Sequence, residues 1–353
     1  MSARPNPLVT VLLLGYNHEQ YIAEAMEAIL AQTYAPIEVI ASDDGSTDRT
    51  AEIMASIASN YRGDKKIVLN RNPRPNGIGG HIDILMKRAS GEFIVVAAGD
   101  DVSMPERVAE LHAAWEASER KATSIYSEFT IIDGAGKIQP PAGKAPHYTG
   151  AVIEIPGTLA GFLKTLQPVV WGCAHGWSPK LFSLFGPLTR DTHYEDVALS
   201  FRSLAIGKIL RIDKPLMYYR RHDSNMSTSG TNPSVKEEGQ IDVYDRLEET
   251  HIKRSLGVYM GFRRDLEVLF AKQAVNETEY ARLARIVDGK RAFFAARLKM
   301  MNGGLRERMA ACSTVIAADE CLQIKLKDAM RVLPRPLYKR VWLMKNRIGS
   351  IFH

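Results

Sequence analysis

Residues 93–105 read FIVVAAGDDVSMP, and the fold follows from how that stretch ends. Residues 93–98 are continuously apolar rather than alternating, the pattern of a strand buried on both faces of a parallel sheet. The run stops at Gly99, Asp100 and Asp101, and Pro105 then marks the start of a helix. Open α/β sheets bind ligands at the carboxyl ends of their strands. Two adjacent carboxylates there repel each other and favour a site that supplies a cation. A hard divalent ion, Mg²⁺ or Mn²⁺, takes carboxylate and phosphate oxygens together and suits them best. An acid pair alone is more often a solvated helix-capping loop, so the rest of the chain has to decide.

Upstream, residues 9–14 form an apolar strand ending at Gly15-Tyr16-Asn17, and Ile22, Ala25, Met26, Ile29 and Leu30 follow at helical spacing. Residues 37–41 make a second strand that stops at Ser42-Asp43-Asp44-Gly45-Ser46-Thr47-Asp48, a turn and N-cap cluster. A helix through Ile53, Met54 and Ile57 comes next. Then follow a strand at 66–69, a Pro/Gly/Asn loop over 70–80 and a helix over 82–88. Strands alternating with helices predict an α/β fold with a doubly wound, mostly parallel sheet. In such a sheet Asp43 and Asp44 project over the same edge as Asp100 and Asp101, a stronger signal than either pair alone. No G-x-G-x-x-G follows the first strand and no G-x-x-x-x-G-K-[ST] occurs, so a dinucleotide dehydrogenase or P-loop ATPase lacks its phosphate cradle.

Taken in order, VTVLLLGYN (9–17), AQTY (31–34), IEVIASDDGSTDRT (37–50) and GEFIVVAAGDD (91–101) resemble the GT-A glycosyltransferases of family 2. The resemblance covers roughly the first 225 residues. It implies an inverting transferase that uses a nucleotide-sugar, a UDP-sugar being favoured, with Mn²⁺ or Mg²⁺ as cofactor. It places Tyr16 and Asn17 in the first nucleotide loop beside Asp43, Asp44 on the base, Asp100 near the ribose and Asp101 on the metal. The chain departs from the family in reading Ala98-Gly99-Asp100-Asp101, with one outer acid missing, and in lacking an arginine or lysine over 76–81.

Beyond the acid pair, residues 105–115 read as a helix, 124–132 as a strand and 139–150 as a Pro/Gly-rich loop over the site. The segment PVVWGCAHGW (168–177) is either an acceptor-facing stretch, as its position in the family implies, or a buried aromatic hinge. In HYEDVALSFRSLAIG (193–207) the apolar positions are helical, so Glu195 and Asp196 stand in a first turn, where the helix dipole alone favours acids. Neighbouring helix residues point roughly 100° apart, so the two carboxylates serve different tasks. By resemblance Asp196 is the general base and Glu195 a supporting or acceptor-binding acid. Strands over 209–212 and 216–219 lead to Arg220, Arg221 and His222. The resemblance makes His222 a metal or phosphate ligand and the arginines candidates for a diphosphate clamp.

A catalytic domain over residues 1–227 is thus expected, with an α-helical region over 228–353. A polar linker covers 228–233, and helices are read over 235–256, 266–274, 277–298 and 306–330. The 353 residues carry a net +6, but eight Lys/Arg against the single Asp328 make residues 325–353 +7 and leave the rest at −1. Residues 337–352 form a basic amphipathic stripe, which either lies on an anionic membrane surface or packs on the protein. Nucleic acid is not the expected partner, because no binding fold accompanies the charge. Three scattered cysteines and no signal peptide or spanning segment point to the cytoplasm, with peripheral attachment to the inner face of the membrane in view. The acceptor expected is a saccharide or lipid-linked group in bacterial surface polysaccharide or glycolipid synthesis. A nucleotidyltransferase or a non-catalytic nucleotide-binding relative stands as the alternative.

Overall fold

The computed structural model describes residues 6–141, 146–167, 170–188, 192–225, 238–320, 322–334 and 336–341. Two compact units result: Met1–His222 with Glu267–Val275, and Asp223–Leu266 with Asn276–His353.

In the first unit, β1 (Val9–Gly15), α1 (Ile22–Leu30), β2 (Ile37–Asp43), α2 (Thr50–Asn60), β3 (Lys66–Arg71), α3 (Gly77–Met86) and β4 (Phe93–Ala98) alternate as the hydrophobic pattern predicts. The short β5 (Val102–Ser103), then α4 (Arg107–Ala117), β6 (Ala122–Asp133), β7 (Val152–Ile155) and α5 (Leu159–Thr165) follow. β8 (His175–Trp177), α6 (Lys180–Ser183), α7 (Glu195–Ile206) and β9 (Lys208–Arg221) complete the unit's strands. The strand order is β3-β2-β1-β4-β8-β6-β9-β5, with β7 on β9. β1 to β4 are mutually parallel, whereas β8 runs antiparallel between β4 and β6. Along β1, Val9, Val11 and Leu13 join one core with α1, α2 and α4, while Leu12 and Leu14 join another with α3 and α7. Alternate side chains of one strand feeding two cores is the signature of a sheet covered on both faces.

Three local expectations are corrected. α3 starts at Gly77, inside the stretch read as loop, because its first amides find an acceptor supplied by another strand. The two strands read over 209–219 are one, β9, running through Pro215. Opposite Pro215 the β6 register shifts on either side of Glu128, so the missing N–H falls at a bulge rather than inside a regular ladder. In the second unit, α8 (Glu238–Ala271) is a single helix of 34 residues where two were read, and its last residues, from Glu267, count with the first unit.

The second unit continues with α9 (Glu277–Asn302), α10 (Leu305–Ala317) and α11 (Leu322–Ala329); the helix read over 306–330 is broken where Ala318 turns extended. Phe293, Met300, Ala311 and Val315 form its apolar centre. Beside them, Arg297 and Arg331 share Asp328 and Glu248, and Lys327 also reaches Glu248. Lys339 pairs with Asp242 at 2.8 Å. Three cations of the basic tail are therefore engaged inside their own unit. Residues 226–237, containing the expected linker, and 342–353, containing most of the amphipathic stripe, lie outside the described residues.

Candidate active site

The register of β1 sets the site's edge. Gly15 stands opposite Asp43 and Leu14 opposite Ala98, so Tyr16, Asp44 and Gly99 leave the sheet together. Tyr16 is 46% exposed. Asn17, at φ 54°, accepts from the Thr47 amide at 2.9 Å and donates its own amide to Ser46 Oγ at 2.8 Å, which ties the first loop to the second. Asp43 turns inward and accepts the Gly45 and Ser46 amides. Gly45 sits at φ 76°, and a Cβ there would lie 2.7 Å from the Arg74 backbone, so only glycine closes this turn.

Asp44 does not wait empty for a base. Its carboxylate accepts from Asn72 Nδ2 at 2.8 Å and from the amides of Asn76 and Gly77 at 3.0 and 3.1 Å. It caps α3 from another strand, offsetting the helix's orphan donors and dipole. A buried chain runs back from it through Asn72 and Asn70 to Ser42 and His81. Asp44 thereby fixes the 72–77 loop that borders the nucleotide side of the rim.

The β4 end carries the second pair. Asp101 Oδ1 accepts the Arg220 amide at 2.9 Å, while Oδ2 is buried with no hydrogen-bond partner. Burial, and then Asp100, push the Asp101 carboxyl well above the usual range. A buried carboxylate oxygen without a donor is costly unless a cation completes it, so the donor set fits a hard divalent ion. Among the described residues no group of three or more His, Cys, Asp or Glu converges on one point, so the remaining ligands would come from phosphate and water. Asp100 Oδ2 faces His222 Nε2 at 3.1 Å and His18 Nε2 at 3.8 Å. Burial lowers the His18 pKa below its ordinary value, against the pull of Asp100.

Arg220 does not lie open as a clamp. Its side chain is 2% exposed, donates from Nε to the Asp100 carbonyl at 2.8 Å, pairs with Glu24 and lies 4.8 Å over the Tyr21 ring. It braces the acid loop from behind, as its place on an inward-facing position of β9 dictates. Arg221, the next residue, is exposed.

The turn at 171–174 connects this pair with the other. Arg107, 1% exposed, donates to Ser103 Oγ, the Val96 carbonyl and the Cys173 carbonyl at 2.8–2.9 Å. It holds the turn against the end of β4, and burial lowers its pKa to about 10. Burial and the nearby Asp101 push the Cys173 thiol well up. One residue earlier, a Cβ on Gly172 would stand 2.7 Å from Glu195 Oε1 and 3.6 Å from Asp196 Cβ. The turn therefore packs against Glu195 and Asp196, while its Cys173 lies within the electrostatic reach of Asp101. At the start of α7, burial and then Asp196 push Glu195 up to about 8; burial pushes Asp196 up to about 6, against the Val197 amide on its Oδ1 at 2.7 Å.

Two acids with separated pKa values beside a carboxylate that lacks a cation make a site for proton removal next to an anionic leaving group. Residues 10–141 match the family model described as glycosyl transferase family 2. Over those residues the sheet-bearing unit is similar to family 2 glycosyl transferases, and its fold is of the GT-A type. An uncharacterized glycosyltransferase of Nostoc sp. is 24% identical over 73% of this chain and 79% of its own length. Among solved structures, residues 1–349 of S. aureus TarS align over 96% of this chain and 88% of that one, at TM-score 0.52 and 16% identity. The UDP complex of the same TarS segment gives 0.51 over the same shares. The match ends before Glu195 and Asp196, so the acid pair of this glycosyltransferase rests on geometry alone.

Sequence reading missed His18, Asn72, Arg107 and Gly172. Arg107 left a trace: with Leu111 and Trp115 it falls at i, i+4 and i+8, a cation on an apolar stripe, which marks a buried arginine. Of the 168–177 segment, residues 168 and 169 lie outside the described residues; His175 and Trp177 are core strand, whereas Trp171 is exposed.

Proposed function

We propose that this glycosyltransferase moves a sugar from a UDP-sugar to an acceptor hydroxyl by single displacement with inversion, with a divalent ion at Asp101. The carrying observation is the Glu195–Asp196 pair at the start of α7, one acid with a pKa near 6 beside another near 8, packed against the turn whose Cys173 feels Asp101. At neutral pH Asp196 is ionised and takes the acceptor hydroxyl's proton. The acceptor oxygen forms its bond to the anomeric carbon as that carbon's bond to the diphosphate oxygen breaks, and the electron pair leaves with UDP. Glu195 keeps its proton, so a second negative charge does not face the departing diphosphate. Asp101, with Asp100 and His222 beside it, would hold the ion, which offsets charge on the leaving phosphates. Tyr16 and the loop fixed by Asn17, Asp43 and Asp44 bound the nucleotide. The fold shared with a UDP-bound TarS segment supports the choice of base.

The test is release of UDP from UDP-sugars with and without acceptor. Asp196→Asn should lower turnover by about 10²–10⁴ while UDP affinity holds; turnover within a few-fold of the parent removes Asp196 as base. No helix among the described residues is long and apolar enough to cross a membrane. Attachment to an anionic surface would fall to residues 337–352, and a chain cut at 336 that sediments with anionic vesicles as well as the full protein rules that out.

A further inference from the structure

Of the three described tryptophans, Trp115 and Trp177 are buried at 4% and 1% exposure, but Trp171 is 49% exposed. Its ring is nevertheless held. Phe129 meets it at 5.5 Å with an interplanar angle of 85°, and Tyr219 packs on Phe129 at 5.2 Å. Phe129 and Tyr219 belong to β6 and β9, adjacent parallel strands that pair Ile131 with Tyr219, so the bed under Trp171 is the sheet itself. The main chain is fixed as well, because Arg107 anchors the Cys173 carbonyl two residues on. Between them, Gly172 packs against Glu195 and Asp196. A braced, half-exposed indole is thus the chain neighbour of the glycine that packs against the proposed base.

An exposed tryptophan of this kind loses apolar contact to water without gaining a hydrogen-bond partner to explain it, the pattern of a binding surface rather than a core. We propose that Trp171 is the platform of the acceptor subsite and that the acceptor it takes is a pyranose ring. One face of a pyranose is a sheet of C–H bonds, weakly positive, which matches the negative face of an indole. Its rim is hydroxyls, which need the polar and acidic groups that Gly172 brings alongside. The patch is one tryptophan buttressed by two rings and bordered by carboxyls. That is the footprint of a single sugar; a prenyl chain requires a continuous apolar channel. This inference rests on the transferase reading, since the base beside the platform is what orients the stacked ring's hydroxyl.

The experiment is saturation-transfer NMR on the full chain with methyl glucopyranosides, galactopyranosides and mannopyranosides, cellobiose and a short prenyl phosphate, with UDP affinity read by calorimetry in parallel. The expected result is saturation of ring C–H protons by the parent protein and by Trp171→Phe, and affinity about five- to tenfold weaker in Trp171→Ala, the scale of one aromatic contact. UDP affinity that stays constant across the three proteins separates loss of this subsite from loss of the donor site. Equal saturation in Trp171→Ala, no pyranoside bound by the parent, or Trp171-dependent saturation of the prenyl phosphate alone each overturns the proposal. A protein that binds pyranosides through Trp171 but releases no UDP from any UDP-sugar would sink the transferase chemistry and leave the subsite standing.

Discussion

Replacing Glu195 by glutamine tests the proton inventory of the acid pair directly. Glutamine is isosteric with the protonated carboxyl, so at low pH parent and variant should have the same stability. Burial and Asp196 raise Glu195 from 4.5 to about 8 in the folded protein, which corresponds to at most about 5 kcal/mol. The sign follows from the raised value. The stabilisation is fully present below about pH 4.5 and is lost as pH climbs through about 8, because the folded protein resists giving up that proton. Asp196, raised from 3.8 to about 6, is lost in the same direction in both proteins and cancels in the difference. Urea midpoints measured at pH 4.5, 7 and 9 should therefore diverge, with Glu195→Gln the more stable protein at pH 9 by about 1–5 kcal/mol. Turnover should show the same pair: both proteins lose activity below about pH 6, and only the parent loses it again near pH 8. A stability difference that does not change with pH, or one that favours the parent at pH 9, refutes the placement of the proton on Glu195.

Two other changes probe the neighbouring contacts. Asp101→Ala should abolish the dependence of UDP affinity on Mn²⁺, measured by calorimetry with and without chelator; parent affinity indifferent to chelator removes the metal from Asp101. Gly172→Ala puts a methyl 2.7 Å from Glu195 Oε1 and should cost about 10² in turnover by displacing the acid pair, with stability lower by about 1–3 kcal/mol. Full turnover by that variant would mean the pair tolerates displacement and is not positioned for proton transfer.

The parallel half of the sheet could be read because each of its strands carries its own signal. β1, β2 and β4 are buried on both faces and end at Gly15, at Asp43 and just before Gly99, so periodicity and turn chemistry agree at the same places. β8 could not be read, since three residues inserted antiparallel between β4 and β6 have no period to detect. Pro215 misled for a related reason: a proline splits a strand on paper, but the bulge in β9 that accommodates it shows only in the pairing with β6, more than eighty residues earlier. The acid positions were legible as types and places, whereas their partners were not. Asp44 as the cap of α3, Arg220 as a brace under Glu24 and Tyr21, and Gly172 as the spacer beside Glu195 are all long-range contacts that no local window contains.

Those partners also explain why two acid pairs at one rim would not do the same work. In Asp100–Asp101 one oxygen is spoken for by the Arg220 amide, another faces His222, and Asp101 Oδ2 remains buried without a donor. An anion held in that state is stabilised by a cation and by little else. In Glu195–Asp196 burial acts on both acids and the Asp196 charge adds to it on Glu195, so a proton stays on Glu195 and leaves Asp196 ionised near neutrality. Under the proposed transfer the first pair would gather positive charge and the second would exchange a proton, with the turn held by Arg107 packed against the second. A displacement reaction needs that separation of tasks, because the leaving phosphates and the attacking hydroxyl lie on opposite sides of the anomeric carbon.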